Sequence, residues 1–253
     1  MKLTNRSAVP ESVFRFLATH DQFYDKDAAK GTISVTTLLR PIQEIVLTQR
    51  HDEEIEVDCT DLLWSVLGSG THAALEKVEG FKPIGRLFGE LEGIRISGKP
   101  DFVANNRICD YKVTSAWTVF YGDRLEEWRL QLSLYRWLYF TQAGGTLEET
   151  GMIVPILRDW AVREANKNPK YPQAPMIEIE VPLLSLKETE DFCREKLLAI
   201  KKAREESDVR LPLCSEKERW FHAKTGKNRK CDKYCHAAPF CDQKKEMDLV
   251  IDI

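Results

Sequence analysis

The stretch GKPDFVANNRICDYK, residues 98–112, decides the fold. Two short apolar runs, Phe102 to Ala104 and Arg107 to Cys109, flank Asn105-Asn106. Asparagine is one of the few residues besides glycine that accepts the positive φ of a tight hairpin turn. With those two asparagines as the loop, the register follows. Ala104 opposes Arg107, Val103 opposes Ile108, Phe102 opposes Cys109, and Asp101 opposes Asp110. Directly opposed side chains have Cβ atoms roughly 4.5–5.5 Å apart, and like charges placed there repel. Lys112, two residues past Asp110, shares its face of the strand. One lysine neutralises one carboxylate, whereas a divalent cation held between the aspartates neutralises both. The hairpin is therefore expected to be a metal clamp.

Around it lies a chain of 253 residues, 43% hydrophobic and 30% charged, enough for one large domain or a domain with an appended module. No run approaches the ~18 apolar residues of a membrane span. The opening MKLTNRSAVPESVF has no apolar h-region, so no secretory signal is expected. Seven cysteines, an odd number, then argue for reduced thiols in a cytoplasmic compartment. The net charge of -3 excludes a uniformly basic, nucleic-acid-coating surface but not a local basic channel.

Helix is expected around Glu11 to Ala18, loop over HDQFYDKDAAKGT (20–32), a cap at Thr36 or Thr37, and helix after Pro41. Another helix from about Asp61 carries His72 in its second half. RLFGELEGIRISG and the hairpin arms read as strands. RLEEWRLQLSLYRWLYFTQAGG is the strongest helix and stops at Gly144-Gly145. GMIVPILRDW and MIEIEVPL read as strands. SLKETEDFCREKLLAIKKAREE reads as an amphipathic helix opened by a Ser185/Glu188 capping box. This order gives an α/β domain over residues 1–209 and a small Cys-rich module over 210–253.

Three constellations could carry chemistry. Asp101 and Asp110 supply the oxygen ligands that Mg²⁺ prefers, and His72 adds a nitrogen that tilts the site toward Mn²⁺. A metal so held polarises a phosphoryl oxygen and acidifies a bound water, and Lys112 is placed to orient that water. Gln131 and Tyr135, four residues apart on one helix face, are suited to hold a phosphate, a water or the lysine. Cys231, Cys235 and Cys241, with Cys214 upstream, have the close spacing of zinc or iron–sulfur ligands. Cys59, Cys109 and Cys193 read as small core residues. Lys224, Lys227, Arg229, Lys230 and Lys233, beside Trp220 and Phe221, have the composition that grips single-stranded nucleic acid. Each also has a structural reading: a solvated Asp/Lys face, a packed tyrosine with a rim glutamine, an ordinary helix histidine, a solvated basic loop.

Taken in order, GSGTHAALE with His72, GKPD with Asp101, DYK with Asp110 and Lys112, and Q-x-x-x-Y with Gln131 and Tyr135 resemble the PD-(D/E)XK nuclease superfamily. Within it they are most similar to the RecB-like branch that includes CRISPR-associated and phage-encoded exonucleases. The resemblance implies a restriction-endonuclease-like core with a mixed central β-sheet flanked by helices. It implies hydrolysis of DNA ends or single strands with Mg²⁺ or Mn²⁺ bound by His72, Asp101, Asp110 and the backbone carbonyl of Tyr111. It further implies a phage-encoded exonuclease in a bacterial host cytoplasm, with a recombination partner protein. Many members close the fold with a [4Fe-4S] cluster held by one early and three late cysteines. Here the early position, around TTLLRPIQ, has Arg40 and Pro41 and no cysteine, so Cys214 becomes the fourth ligand and Zn²⁺ is an equal alternative. The rival from another class is a non-catalytic nucleic-acid-binding or assembly factor that keeps the fold.

Overall fold

The computed structural model describes residues 1–20, 32–75, 77 and 84–251. In chain order the elements are β1 (Lys2–Thr4), α1 (Glu11–His20), β2 (Thr32–Ser34), α2 (Val35–Leu38), α3 (Ile42–Arg50), β3 (Glu56–Asp58), α4 (Leu63–Leu75), β4 (Leu87–Leu91), β5 (Ile94–Gly98), β6 (Phe102–Ala104) and β7 (Arg107–Thr114). Then come α5 (Ala116–Tyr121), α6 (Leu125–Ala143), β8 (Thr150–Leu157), α7 (Val162–Lys167), β9 (Ile179–Pro182), α8 (Leu186–Glu205), α9 (Glu216–Arg219), β10 (Phe221–His222), β11 (Lys227–Asn228), α10 (Arg229–Lys233) and α11 (Asp242–Ile251). The chain is thus a mixed α/β protein. The loop expected over 20–32 falls mostly on residues 21–31, outside the described residues.

By contact the chain divides into two compact units: the described residues of 1–24, 40–62 and 194–253, and those of 25–39 and 63–193. This differs from the single boundary at 209/210 expected from composition. The reason lies in the first unit's core, where Val46 and Leu47 of α3 bury against Ala203, Leu211, Ala237 and Cys241. The Cys-rich segment therefore finds its apolar partners far back in the sequence.

In the second unit, β6-β7-β8-β9 form one mixed sheet, with β6 and β9 antiparallel and β8 parallel to β7. A second mixed sheet has the order β2-β5-β4. Asn105 and Asn106 both take positive φ, 49° and 61°, and the register Phe102↔Cys109, Val103↔Ile108, Ala104↔Arg107 is the one the asparagine turn dictates. The ladder stops there. Pro100 has no N–H to donate, so Asp101 lies outside β6 and is not a strand partner of Asp110, contrary to the sequence expectation.

Helix α6 packs on β4, β5, β7 and β8. Its buried residues run without a gap from Gln131 to Leu138, as expected of a helix enclosed on most sides. It ends on Gly144 at φ 65°, the left-handed cap expected from sequence. Close approach depends on small residues in the strands: a Cβ at Gly98 would stand 2.7 Å from Tyr135 Cε1, and one at Gly151 2.8 Å from Leu132 Cδ1. The Ser185/Glu188 capping box forms at the start of α8, with Glu188 N–H donating to Ser185 Oγ and Ser185 N–H to Glu188 Oε2. The cap near residue 36 is instead Ser34, whose Oγ accepts the Thr37 N–H.

In the first unit, β1 pairs in parallel with β3. Asp58, at the end of β3, accepts from Arg6 N–H at 2.6 Å, Ser7 N–H at 3.2 Å and the Ser7 and Thr60 hydroxyls at 2.8 and 2.7 Å. Arg50 closes the C-terminal end of α8 by donating to the carbonyls of Ala203, Arg204 and Glu206.

Gly98→Ala should destabilise the protein by about 1–3 kcal/mol in urea denaturation, the usual cost of overpacking. Gly85→Ala, where a Cβ meets nothing within 4 Å, is the neutral control. Equal stability of the two variants would contradict the close-approach account.

Candidate functional site

Strand β7 sorts its side chains by alternation. Cys109 and Tyr111 join Phe102 and Val154 on one face, with the Tyr111 and Phe102 rings 4.9 Å apart. Asp110 and Lys112 take the other face, against α6. Asp110 is only 3% exposed, and its Oδ2 pairs with the Lys112 ammonium. Lys112 Nζ also donates to Gln131 Oε1 at 2.8 Å, and Gln131 Nε2 donates to Tyr135 OH at 2.9 Å. Gln131 and Tyr135 are buried. Of the roles open to this pair in sequence, the contact realised is with the lysine: α6 holds the ammonium against Asp110.

Asp101 reaches the same region from outside its strand. Its Oδ2 accepts the Tyr111 N–H at 2.7 Å, taking up a donor that the interrupted ladder leaves over, and its Oδ1 lies 2.7 Å from His72 Nδ1. Helix α4 delivers His72, whose ring stands edge-on to Tyr111 at 6.4 Å. His72, Asp101, Asp110, Lys112, Gln131 and Tyr135 are thus brought to one region, each acid with its own cationic or hydrogen-bonding partner.

The electrostatics reflect two acids sharing a desolvated space. Burial is the main cause that raises the Asp110 carboxyl above its ordinary value, with Asp101 adding to it and Lys112 opposing. Burial alone would lower His72, but the hydrogen bond and charge of Asp101 outweigh it and leave the imidazole raised. Asp110 therefore holds a proton more tightly than a free carboxylate does.

The four cysteines expected to act together line one cleft in the first unit, with Pro41, Gln43, Glu44 and Lys230 among the other lining residues. Gln43 Oε1 lies 3.4 Å from both the Cys214 and Cys241 sulfurs. Burial, reinforced by Glu218 and the neighbouring thiols, pushes Cys214 up to about 12, and burial with Glu44 pushes Cys235 up to about 11. Cys59, Cys109 and Cys193 are buried, as expected of core cysteines. Among the described residues no group of three or more His, Cys, Asp or Glu side chains is spaced to hold a single metal ion. At the aspartates the direct His72–Asp101 and Lys112–Asp110 pairings account for this, since each acid is already neutralised by a side chain.

The basic set divides. Lys224, Lys227, Arg229 and Lys233 are exposed on and after the β10–β11 hairpin. Lys230 turns inward, its ammonium 2.6 Å from Glu44 Oε2 and its side chain 16% exposed, so its charge is spent inside the unit. Gln43 and Glu44 escaped the sequence reading. The signal was Gln43 closing TTLLRPIQ, the stretch where the resemblance puts an early cysteine, with Glu44 next to it.

No family model matches the chain, and no curated protein matches it. A solved structure described as "Crystal structure of SSO0001" is similar to it, with a TM-score of 0.56 at 17% identity over 92% of this chain and 96% of that one. At that identity the likeness concerns the fold alone, a mixed α/β architecture. Among the described residues no helix is long and apolar enough to cross a membrane.

The raised groups fix a pH dependence. Asp110 binds its proton more tightly folded than unfolded, so the linked stability is fully present below the unfolded value of 3.8 and is lost as pH rises through the raised folded value. His72 has the same sign: its contribution is present below 6.5 and is lost as pH rises through its own raised value. Asp58 and Asp208 have the opposite sign. Hydrogen bonds from Thr60 and Ser7, and from Arg50, lower them, so their contributions are lost as pH falls. The wild-type-minus-variant difference isolates each group. In urea denaturation across pH, His72→Gln should remove a loss of stability that wild type shows above 6.5, and Asp110→Asn a loss that begins above 3.8. Parallel curves for variant and wild type would contradict these contacts.

Proposed function

We propose that the chain is a metal-dependent deoxyribonuclease of the PD-(D/E)XK type, with a restriction-endonuclease-like core, that hydrolyses phosphodiester bonds at DNA ends or in single strands. The observation that carries this reading is the pair of buried Asp110 and half-buried Lys112 held by Gln131 and Tyr135, with Asp101 and His72 beside it. A fold has little stability reason to bury such a pair, because the desolvation of two charges offsets most of their attraction. A site that binds a cation and a phosphodiester does have one.

The donor types fit a hard divalent ion: two carboxylates, one imidazole and the Tyr111 carbonyl. Mg²⁺ or Mn²⁺ bound there supplies a polarised phosphoryl oxygen and a bound water of lowered pKa. Asp101, Asp110, His72 and the Tyr111 carbonyl would hold the ion, and Lys112, held by Gln131, would stabilise the charge that develops on phosphorus. Gln131 and Tyr135, being buried, act as positioning residues for the ammonium.

Cys214, Cys231, Cys235 and Cys241 are the ligands in this reading, of a [4Fe-4S] cluster or of Zn²⁺. A four-coordinate zinc, with Zn–S about 2.3 Å, draws its sulfurs to within about 4 Å of one another. The cluster is taken from the resemblance, and the four thiols gathered around Gln43 would serve either species as ligands. The metal's positive charge would also stabilise as thiolates sulfurs that burial otherwise keeps protonated.

Asp110→Ala and Lys112→Ala should retain the circular dichroism of the wild type and lose Mn²⁺-dependent digestion of end-labelled DNA by at least about 10²-fold, the usual scale for removing a group that works on the reacting proton. Undiminished digestion by either variant would sink the reading. Purified anaerobically, the protein should be brown with iron and sulfide in cluster stoichiometry. A colourless protein with one zinc would replace the cluster with a structural ion.

A further inference from the structure

We infer that the surface at the exit of β7, formed by α5, the start of α4 and the segment after β8, is a platform on which single-stranded DNA stacks its bases. The inference rests on the nuclease reading for its substrate class and extends it to residues outside the metal site.

Exposed aromatic side chains gather there. Trp117 and Tyr121 on α5 are 40% and 65% exposed, and their rings stack at 6.1 Å. Trp64 on α4 is 52% exposed, with the Arg158 guanidinium 4.2 Å over its ring. These two groups adjoin, because the Arg158 N–H donates to Thr114 O at the end of β7, and Asp159 accepts from Ser115 Oγ and the Ala116 N–H at the start of α5. The aromatics are held in place from below. Trp117 sits 5.2 Å from buried Tyr171, and Ala116 buries against Leu157 and Ala165. A fixed, half-exposed ring presents a π-face at little entropic cost, which is what base stacking requires.

Charge selects the partner. The whole chain carries -3, yet residues 157–171 carry Arg158, Arg163, Lys167 and Lys170 against only Asp159 and Glu164. Asp159 is taken up by the start of α5, and Glu164 lies 3.8 Å from Lys167. The cationic segment after β8, beside exposed aromatics, matches a phosphodiester strand with unstacked bases whose phosphates run on the Arg163, Lys167 and Lys170 side, away from exposed Asp61 and Asp123. It does not match a lipid surface, which would want aliphatic depth. Thr114 lies two residues past Lys112, about 7 Å along the strand, roughly one nucleotide from the reacting centre. His72 and Trp64 ride the same helix α4.

The test is binding of a fluorescein-labelled oligothymidylate, followed by anisotropy in EDTA so that no cleavage intervenes. Tyr121→Ala and Trp64→Ala should each weaken binding about five- to 150-fold, the range for one lost base stack, while Tyr121→Phe keeps the ring and the affinity. Melting temperatures verify that the variants are folded, and Tyr121, the most exposed of the set, is the one whose loss should not disturb the core. Wild-type affinity in both alanine variants would overturn the proposal even if the enzyme cleaves DNA. Equal loss in Tyr121→Phe would overturn it too, as would a wild-type dimer that Tyr121→Ala splits to a monomer, since a second copy would then be the occupant. Tyrosine-dependent binding by a protein that never cleaves would support the platform and sink only the nuclease reading.

Discussion

The second unit is organised around one electrostatic constraint: buried Asp110 and mostly buried Asp101 lie near each other, where water screens them little. Each acid is answered separately. Asp110 takes the Lys112 ammonium, and Asp101 takes His72 and the Tyr111 N–H. The ammonium in turn needs Gln131, Gln131 donates to Tyr135, and Tyr135 can lie there only because Gly98 has no Cβ. A charge requirement on β7 thus reaches through α6 to a glycine on β5. Breaking one partner of such a pair costs about 3–5 kcal/mol where the remaining charge is buried, which makes the arrangement costly to keep without a task.

Much of this was legible in the sequence, for local reasons. The Asn105-Asn106 turn, the glycine stop of α6, the Ser185/Glu188 cap and the alternation of Cys109, Asp110, Tyr111 and Lys112 are all set by neighbours within a few residues, and all appear as read. The opposition of Asp101 and Asp110 was read as strand pairing. The two do share a region, but Pro100 ends the ladder and Asp101 arrives through its side chain. Proline chemistry, visible in the sequence, had the stronger claim on that position.

What was not legible is what depends on distant packing. Nothing in CDKYCHAAPFC says that its cleft is completed by Gln43 and Glu44, nearly two hundred residues earlier, or that Lys230 leaves the basic cluster for Glu44. A lysine between a basic turn and a cysteine looks like surface until its acid partner is known. The aromatic surface of Trp64, Trp117 and Tyr121 was likewise hidden, because aromatics spaced along a sequence read as core until their exposure is seen. The division of the chain follows from the same long-range contacts, which compositional boundaries do not register.

The central claim is that Asp101 and Asp110 together form a divalent-cation site. Its most direct measurement is calorimetric titration of the purified protein with Mn²⁺, alongside an Asp101→Asn, Asp110→Asn double variant. Saturable binding by the wild type with release of protons, lost in the double variant while its thiol-bound metal content is unchanged, is the predicted result. Identical heats from the two proteins would contradict it.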